Sequence, residues 1–364
     1  MLGKRMADRS RWALIGLAVC WFAITASVPG MELQGLYAAQ VAVANQDQNE
    51  RQRGFQLALE QVLVKVSGER ALVKRPSIAQ ALAQPERYVA QFRYRTEIAP
   101  AAALGAPPER TLVLWTEFDG PAIDTLLREA GLPVWSRVRP SVLLWFAVER
   151  ANGPVVLGAD NAGDLAKVLK VLRETATQRG LPLILPLLDL EDQSRLSESD
   201  LWGGFEEDIL KASERYQSEA VLVGKAYRLL TGLWETHWKL LLGGASRGWS
   251  LRGEALEPLL EQGIHQAADV LAERFAAAGG PTELDTIELM VGGINSLDDY
   301  ANTLAYLQAL DQVQAVRVSR VEGDRIWFVI DARGGRAAVR EVIALGRKLV
   351  PLGVGELLEF ELRP

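Results

Sequence analysis

The chain has 364 residues, 49% hydrophobic and 24% charged, with one cysteine, two histidines and a formal net charge of −6. That is enough chain for two or three domains with cores of their own, and the composition excludes disorder. The acidic balance argues against nucleic acid and anionic lipid as partners, and so few thiols and imidazoles leave little for a zinc site or thiol catalysis.

Lys4, Arg5, Arg9 and Arg11 precede an apolar run from Trp12 to Ala26, closed by Ser27-Val28-Pro29-Gly30. This is the layout of a secretory signal peptide over residues 1–30. The run falls short of the about 20 residues that a bilayer span needs. Cleavage after Ala26 or Gly30 is therefore expected, with an uncleaved membrane anchor as the alternative, and the remainder is expected to be periplasmic with no transmembrane span. Cys20 lacks the small residue that precedes a lipidated cysteine, and its removal leaves a Cys-free mature protein without disulfides. The same cut removes four basic residues and Asp8, moving the net charge from −6 to −9.

Residues 31–152 read as an N-terminal α+β domain. Val41 and Val43 alternate with small residues as a strand. Phe55, Leu59, Val62, Leu63 and Val66 follow at helical spacing, with Asp47 and Glu50 as a capping box and Ser67-Gly68 as the stop. A short helix lies between Pro76 and Pro85, and a strand runs from about Gln91 to Ile98. Arg87, Arg93, Tyr94 and Arg95 form its basic side, a candidate contact for an acidic partner or simply a solvated face. The Ala- and Pro-rich stretch 99–109 reads as a loop, Thr111 to Asp119 as a buried strand, Ala122 to Ala130 as a helix, and VLLWFAVE after Ser141 as a further apolar strand. Asn152-Gly153-Pro154 marks the expected boundary.

Residues 153–280 read as a middle α+β domain. Its first helix spans Asp164 to Gln178, and LPLILPLLD, with Pro182 and Pro186, is an edge or bulged strand. The acidic stretch from Asp189 has Ser194 where a calcium loop needs glycine. Helix Phe205 to Tyr216 leads into a three-stranded meander with tight turns at Thr231-Gly232 and Gly243-Gly244. In its middle strand Trp234, Thr236, Trp238, Leu240 and Leu242 share a core face, while Glu235, His237 and Lys239 share the other. Glu235 and His237 are the second candidate partner contact; a glycan or peptide platform on the tryptophans is the sharper alternative. A long helix from Glu257 closes the domain before Gly279-Gly280-Pro281.

Residues 281–364 read as β-α-β-β-α-β, a ferredoxin-like unit, with a Ser296/Asp299 capping box, a Gly323-Asp324 hairpin, a helix over Ala337 to Val350 and a last strand over Leu357 to Leu362. The whole is thus expected to be a multi-domain α+β protein of small antiparallel or mixed sheets packed by helices.

No catalytic constellation emerges. Gly244-Ala245-Ser246-Arg247-Gly248 fits G-x-S-x-G, but a strand follows where a nucleophile elbow needs a helix. Gly224-Lys225 lacks the upstream glycine of a phosphate loop. His265, four residues before Asp269, is a possible general base but more simply a surface histidine. No catalytic, cofactor or metal residue is assigned.

The stretches ALEQVLVKVSGER, PERYVAQFRYR, LWTEFD, LLREAGLPVWSRVRP, LPLILPLLD, YQSEAVLVGKAYR and GINSLDDY resemble the DUF2066 family, a proteobacterial domain of unknown function. That resemblance implies an exported Gram-negative protein and supplies no functional residues. In layout the middle unit is also similar to the N-terminal domain of TolB and to envelope assembly factors. The reading that follows is a non-catalytic periplasmic adaptor or envelope-assembly protein whose partner is another envelope protein. The alternative is a periplasmic small-ligand or glycan-binding protein, using a cleft between the middle and last domains rimmed by Gly292-Gly293.

Overall fold

The computed structural model describes residues 35–363 except 100–108, 136, 160–164, 277–283, 311, 347 and 354–356. The signal segment, most of the Ala- and Pro-rich loop and Gly279-Gly280-Pro281 lie outside the described residues. The architecture is α+β, built on three sheets.

The first sheet has order β1-β3-β2 and is antiparallel, from β1 (Ala38–Ala42), β2 (Val89–Ala99) and β3 (Glu109–Phe118). One face carries α1 (Gln48–Ser67), α2 (Pro76–Ala83) and α3 (Gly120–Glu129). The helical spacing read in the sequence holds: Phe55, Leu59, Val62, Leu63 and Val66 are all buried on the stripe that α1 lays on Val41 and Leu114, each worth roughly 1.5–3 kcal/mol of transfer free energy. Gly68, at φ 75°, ends the helix. The expected capping box does not form. Asn45 Oδ1 accepts from the Asp47 N–H at 2.9 Å, and Glu50 Oε1 accepts from the Ala44 N–H at 3.0 Å, so the acid caps one turn earlier than its spacing suggests.

The middle sheet corrects the expected boundary. β4 (Val142–Arg150), expected in the N-terminal unit, pairs with β5 (Gly153–Val156), β6 (Leu183–Ile184) and β7 (Ala220–Arg228). Asn152-Gly153-Pro154 therefore closes a hairpin. The reason lies in β4 itself, whose residues Val142 to Val148 are all buried. A parallel strand covered on both faces reads as a continuous apolar run and carries no alternation to say which sheet it belongs to. The sheet continues through β8 (Trp234–Leu242) to β9 (Ala245–Gly253) in order β5-β4-β7-β8-β9. Helices α4 (Leu165–Arg179) and α8 (Leu256–Phe275) cover one face, and α5 (Leu190–Arg195), α6 (Glu198–Gly203) and α7 (Glu206–Ser213) cover part of the other. Gly224 and Gly263 make room for the Trp238 ring, which lies 5.0 Å from the Phe146 ring; a Cβ at Gly263 would come within 2.2 Å of the indole. That close approach accounts for Gly224 beside Lys225.

The last sheet comprises β10 (Asp285–Gly292), β11 (Val313–Glu322), β12 (Arg325–Ala332), β13 (Leu349–Pro351) and β14 (Leu358–Leu362), with α9 (Leu297–Gln308) and α10 (Gly335–Leu345). Its order, β11-β12-β10-β14-β13, contains the expected split βαβ. The helix expected to reach Val350 stops at Leu345, and β13 takes the following residues as an added edge strand. The chain therefore turns once more, and β14 runs parallel to β10. Ser296 Oγ caps α9 through the Asp299 N–H, while Asp299 reaches back to the Asn295 N–H, so the box is offset by one residue. Gly292 is buried under Glu361, whose Oε2 a Cβ there would meet at 2.5 Å, while Gly293 is partly exposed. Among the described residues no helix is long and apolar enough to cross a membrane.

Candidate functional site

Antiparallel pairing aligns three short polar rows on the α6–α7 side of the middle sheet. Lys225 on β7 stands opposite His237 on β8, which stands opposite Ser250 on β9; Tyr227, Glu235 and Arg252 form the next row, and Val223, Lys239 and Gly248 the third. Gly203, Gly204 and Glu206 from the α6–α7 corner wall one side, and Leu201 and Ile209 give apolar lining. With the first and third rows they line an open recess of about 410 Å³, and the row of Tyr227, Glu235 and Arg252 stands beside it.

The groups in the recess are interlocked with the row beside it. His237 Nδ1 lies 2.9 Å from Ser250 Oγ, and His237 Nε2 lies 2.8 Å from Tyr227 Oη and 3.3 Å from Glu235 Oε1. The Tyr227 ring stacks on the imidazole at 5.6 Å, with Trp202 edge-on to Tyr227 at 6.1 Å. Glu235 is 4% exposed, and Arg252 Nη2 donates to its Oε1 at 3.0 Å. Arg252 chiefly holds the Glu235 carboxyl below the usual range. The Tyr227 phenol is pushed up, first by burial and then by the Glu235 charge. Lys225 Nζ donates to the Trp202 carbonyl at 2.9 Å, and Lys239 is ion-paired with Glu206. Lys225, Lys239 and Arg252 are set against the carboxylates of Glu206 and Glu235, with Glu149 of β4 near Tyr227.

Ser250, His237 and Glu235 are linked in the order of an acyl-transfer triad. Chemistry of that kind needs backbone N–H groups free to hold an oxyanion. His237 lies on β8, flanked by β7 and β9, while Ser250 lies on β9 at the edge of the sheet. Among the described residues no three His, Cys, Asp or Glu side chains converge as a metal site.

The residues singled out in the sequence separate into two places. Glu235 meets His237 beside the recess, buried among the side chains of Arg252, Tyr227 and His237 where an open face was expected. Arg93 and Arg95 point from β2 to the uncovered face of the first sheet, and the Arg93 guanidinium sits 4.3 Å from the Trp115 ring. Tyr94 turns to the other face, packing on the α1 core. His265 is partly buried beside Arg179, its carbonyl accepting from Arg179 Nη1 at 3.2 Å. Sequence reasoning missed Lys225, Ser250, Arg252, Glu206 and Trp202. The alternation of β7 and β9 was a usable signal for the first three.

One family model matches, described as Domain of unknown function (DUF8605), over residues 31–136. It contains the whole first sheet and stops before β4. The finding overturns the resemblance to DUF2066, for which no match is found. The quoted stretches within it are amphipathic helix and strand patterns that any helix packed on a three-stranded sheet requires, so their wording does not separate two such families. No curated protein matches the chain. Among solved structures, the chain is similar to a homoserine dehydrogenase of S. aureus at 14% identity and TM-score 0.14, over 30% of this chain and 28% of that one. It is similar to an uncharacterized protein at 14% identity and TM-score 0.16, over 37% of this chain and 97% of that one. The chain thus spans under a third of the dehydrogenase, and neither likeness bears on activity.

Proposed function

We propose that this chain is an exported, non-catalytic binding protein of a bacterial cell envelope that takes a small polar ligand in the recess over β7, β8 and β9. The observation that carries the reading is the recess itself. About 410 Å³ is a size that small-molecule sites use, and hydroxyl, imidazole, carboxylate and ammonium groups converge beside an apolar wall. The first test is thermal shift against sugars, muropeptide fragments, nucleotides and organic acids. A ligand present at a hundred times its dissociation constant adds about 2.7 kcal/mol of stability. The shift is expected to vanish in Ser250→Trp, which fills the mouth of the recess from an exposed strand position. A flat response across all four classes would sink the proposal.

A second reading, an adaptor that docks on another envelope protein, is supported by the outer face of the first sheet. There Trp115, Arg93, Arg95, Gln40 and Gln91 lie with no helix over them. Crosslinkers placed at Arg93 and at Glu235 in intact cells separate the two readings. A reproducible envelope protein at position 93 supports the adaptor, and background at both leaves the ligand reading.

A further inference from the structure

We propose that β2 is a self-association edge, through which two copies of this chain join their first sheets into one antiparallel six-stranded sheet. The strand is 11 residues long and, among the described residues, hydrogen-bonded on one side only, to β3. After an irregularity between Val89 and Gln91 its ladder to β3 is unbroken from Gln91 to Ala99. Such an edge presents a continuous row of backbone donors and acceptors, which proteins ordinarily blunt with charges, proline or bulges. Here the irregularity lies at the start of the strand, and the charges are of both signs, Arg93 and Arg95 followed by Glu97, where a guarded edge would repeat one sign.

The placement of Glu97 two residues after Arg95 chooses the occupant. A two-fold axis normal to the sheet keeps matching faces together and pairs residues symmetrically about one position. Centred on Tyr94, it would set Arg93 against the partner's Arg95 twice. Centred on Arg95, it would set that residue against itself. Centred on Thr96, it sets Arg95 opposite the partner's Glu97 and Tyr94 opposite the partner's Ile98, with the two Thr96 hydroxyls meeting at the axis. Opposite-charge, aromatic with β-branched, and Thr–Thr pairs are the cross-strand combinations that stabilise antiparallel ladders. The same register covers exposed apolar surface, since Ile98 is 63% exposed and Phe92, the diagonal neighbour in this pairing, is 45% exposed. Arg95, Thr96, Glu97 and Ile98 are exposed in the monomer, and Tyr94 keeps its packing on the α1 core.

The test is light scattering with size exclusion on the full chain carrying Cys20→Ser, across a concentration series, together with single cysteine variants. The expected result is a reversible dimer. Glu97→Arg should raise its dissociation constant roughly tenfold or more, Arg95→Glu should do the same, and the two together should restore it. Thr96→Cys should form an intermolecular disulfide with itself, because the register brings its two copies face to face, and Arg93→Cys should not. Glu97→Gln and Arg95→Gln replace the charge reversals if those melt below the parent. A monomer mass at every concentration, a dimer indifferent to Glu97→Arg, or preferential crosslinking of Arg93→Cys would each overturn the proposal.

Discussion

At the scale of single residues the most heavily used side chain is Arg139, which is fully buried. Its Nη2 donates to the carbonyl of Lys65 at 2.7 Å and of Trp135 at 3.3 Å, and its Nη1 donates to those of Arg179 and Gly180 at 3.1 and 3.2 Å. Two of these carbonyls end α1 and α4, where unpaired acceptors and the negative pole of the helix favour a cation. Arg179 does the same for the Gly68 carbonyl while bonded to Asp269. Arg139→Met should therefore cost roughly 3–5 kcal/mol, by leaving buried acceptors unpaired. Arg139→Lys should recover little, since an ammonium cannot fork to four carbonyls; chemical denaturation measures both. Beside this cluster His265 is pushed down to about 4, by burial first and then by the Arg179 and Arg70 charges. The unfolded chain takes up that proton near pH 6.5, so between about 4 and 6.5 the unfolded state holds more protons and stability rises with pH. Stability is thus lost as pH falls through that window, and His265→Gln should flatten the loss there in a pH series of unfolding curves. None of this was legible in the sequence, where Arg139 looks like any loop arginine, because its partners lie 40 and 74 residues away.

At the scale of elements the sequence carried more. The turn at Gly243-Gly244 leaves two residues between Leu242 and Ala245, and that alone dictates that His237 faces Ser250 and Glu235 faces Arg252. Half of the recess was readable from this register. Its roof was not, because α6 and α7 end 31 and 21 residues before β8 begins, and nothing local in WETHWKLLL says that its polar face is partly covered. The opposite face of β8 gives the sharper prediction at this scale. Trp238 is 3% exposed and lies between Phe146 and the Gly263 backbone of α8. Alanine is the better helix former by about 1 kcal/mol, yet its Cβ has no room beside a rigid ring. Gly263→Ala should therefore be destabilising by roughly 1–3 kcal/mol net. In a Trp238→Phe background the same substitution should cost less, and the double-mutant cycle read by thermal unfolding gives the coupling.

At the scale of the whole molecule the two joints between sheets differ in kind, and that difference sets how the chain should come apart. The first sheet is fastened to the middle one by buried groups: Arg139, Arg179 and the Trp135 N–H, which donates to the Val66 carbonyl at 2.7 Å. Among the described residues the last sheet is held by one partly exposed ion pair, Arg274 to Glu341 at 3.1 Å, and by Leu345, which inserts into the middle core. The pair is worth at most about 1 kcal/mol and the leucine roughly 1.5–3 kcal/mol, so only a few kcal/mol couple the last unit to the rest. Chains with weakly coupled units depart from two-state unfolding. The first and middle sheets should accordingly unfold together and the last one separately, giving two steps in denaturant. Trp327 is the reporter, because it is the one tryptophan after residue 249 and is 8% exposed under Arg320. Its fluorescence change should fall in one step only, and Trp327→Phe should erase that step while leaving the other. Leu345→Ser should drive the two midpoints apart, whereas Arg139→Met should split the remaining step in two. A single transition in which Trp327 and the other tryptophans report one midpoint, unmoved in relation to each other by Leu345→Ser, would mean that the units are coupled more strongly than their contacts allow.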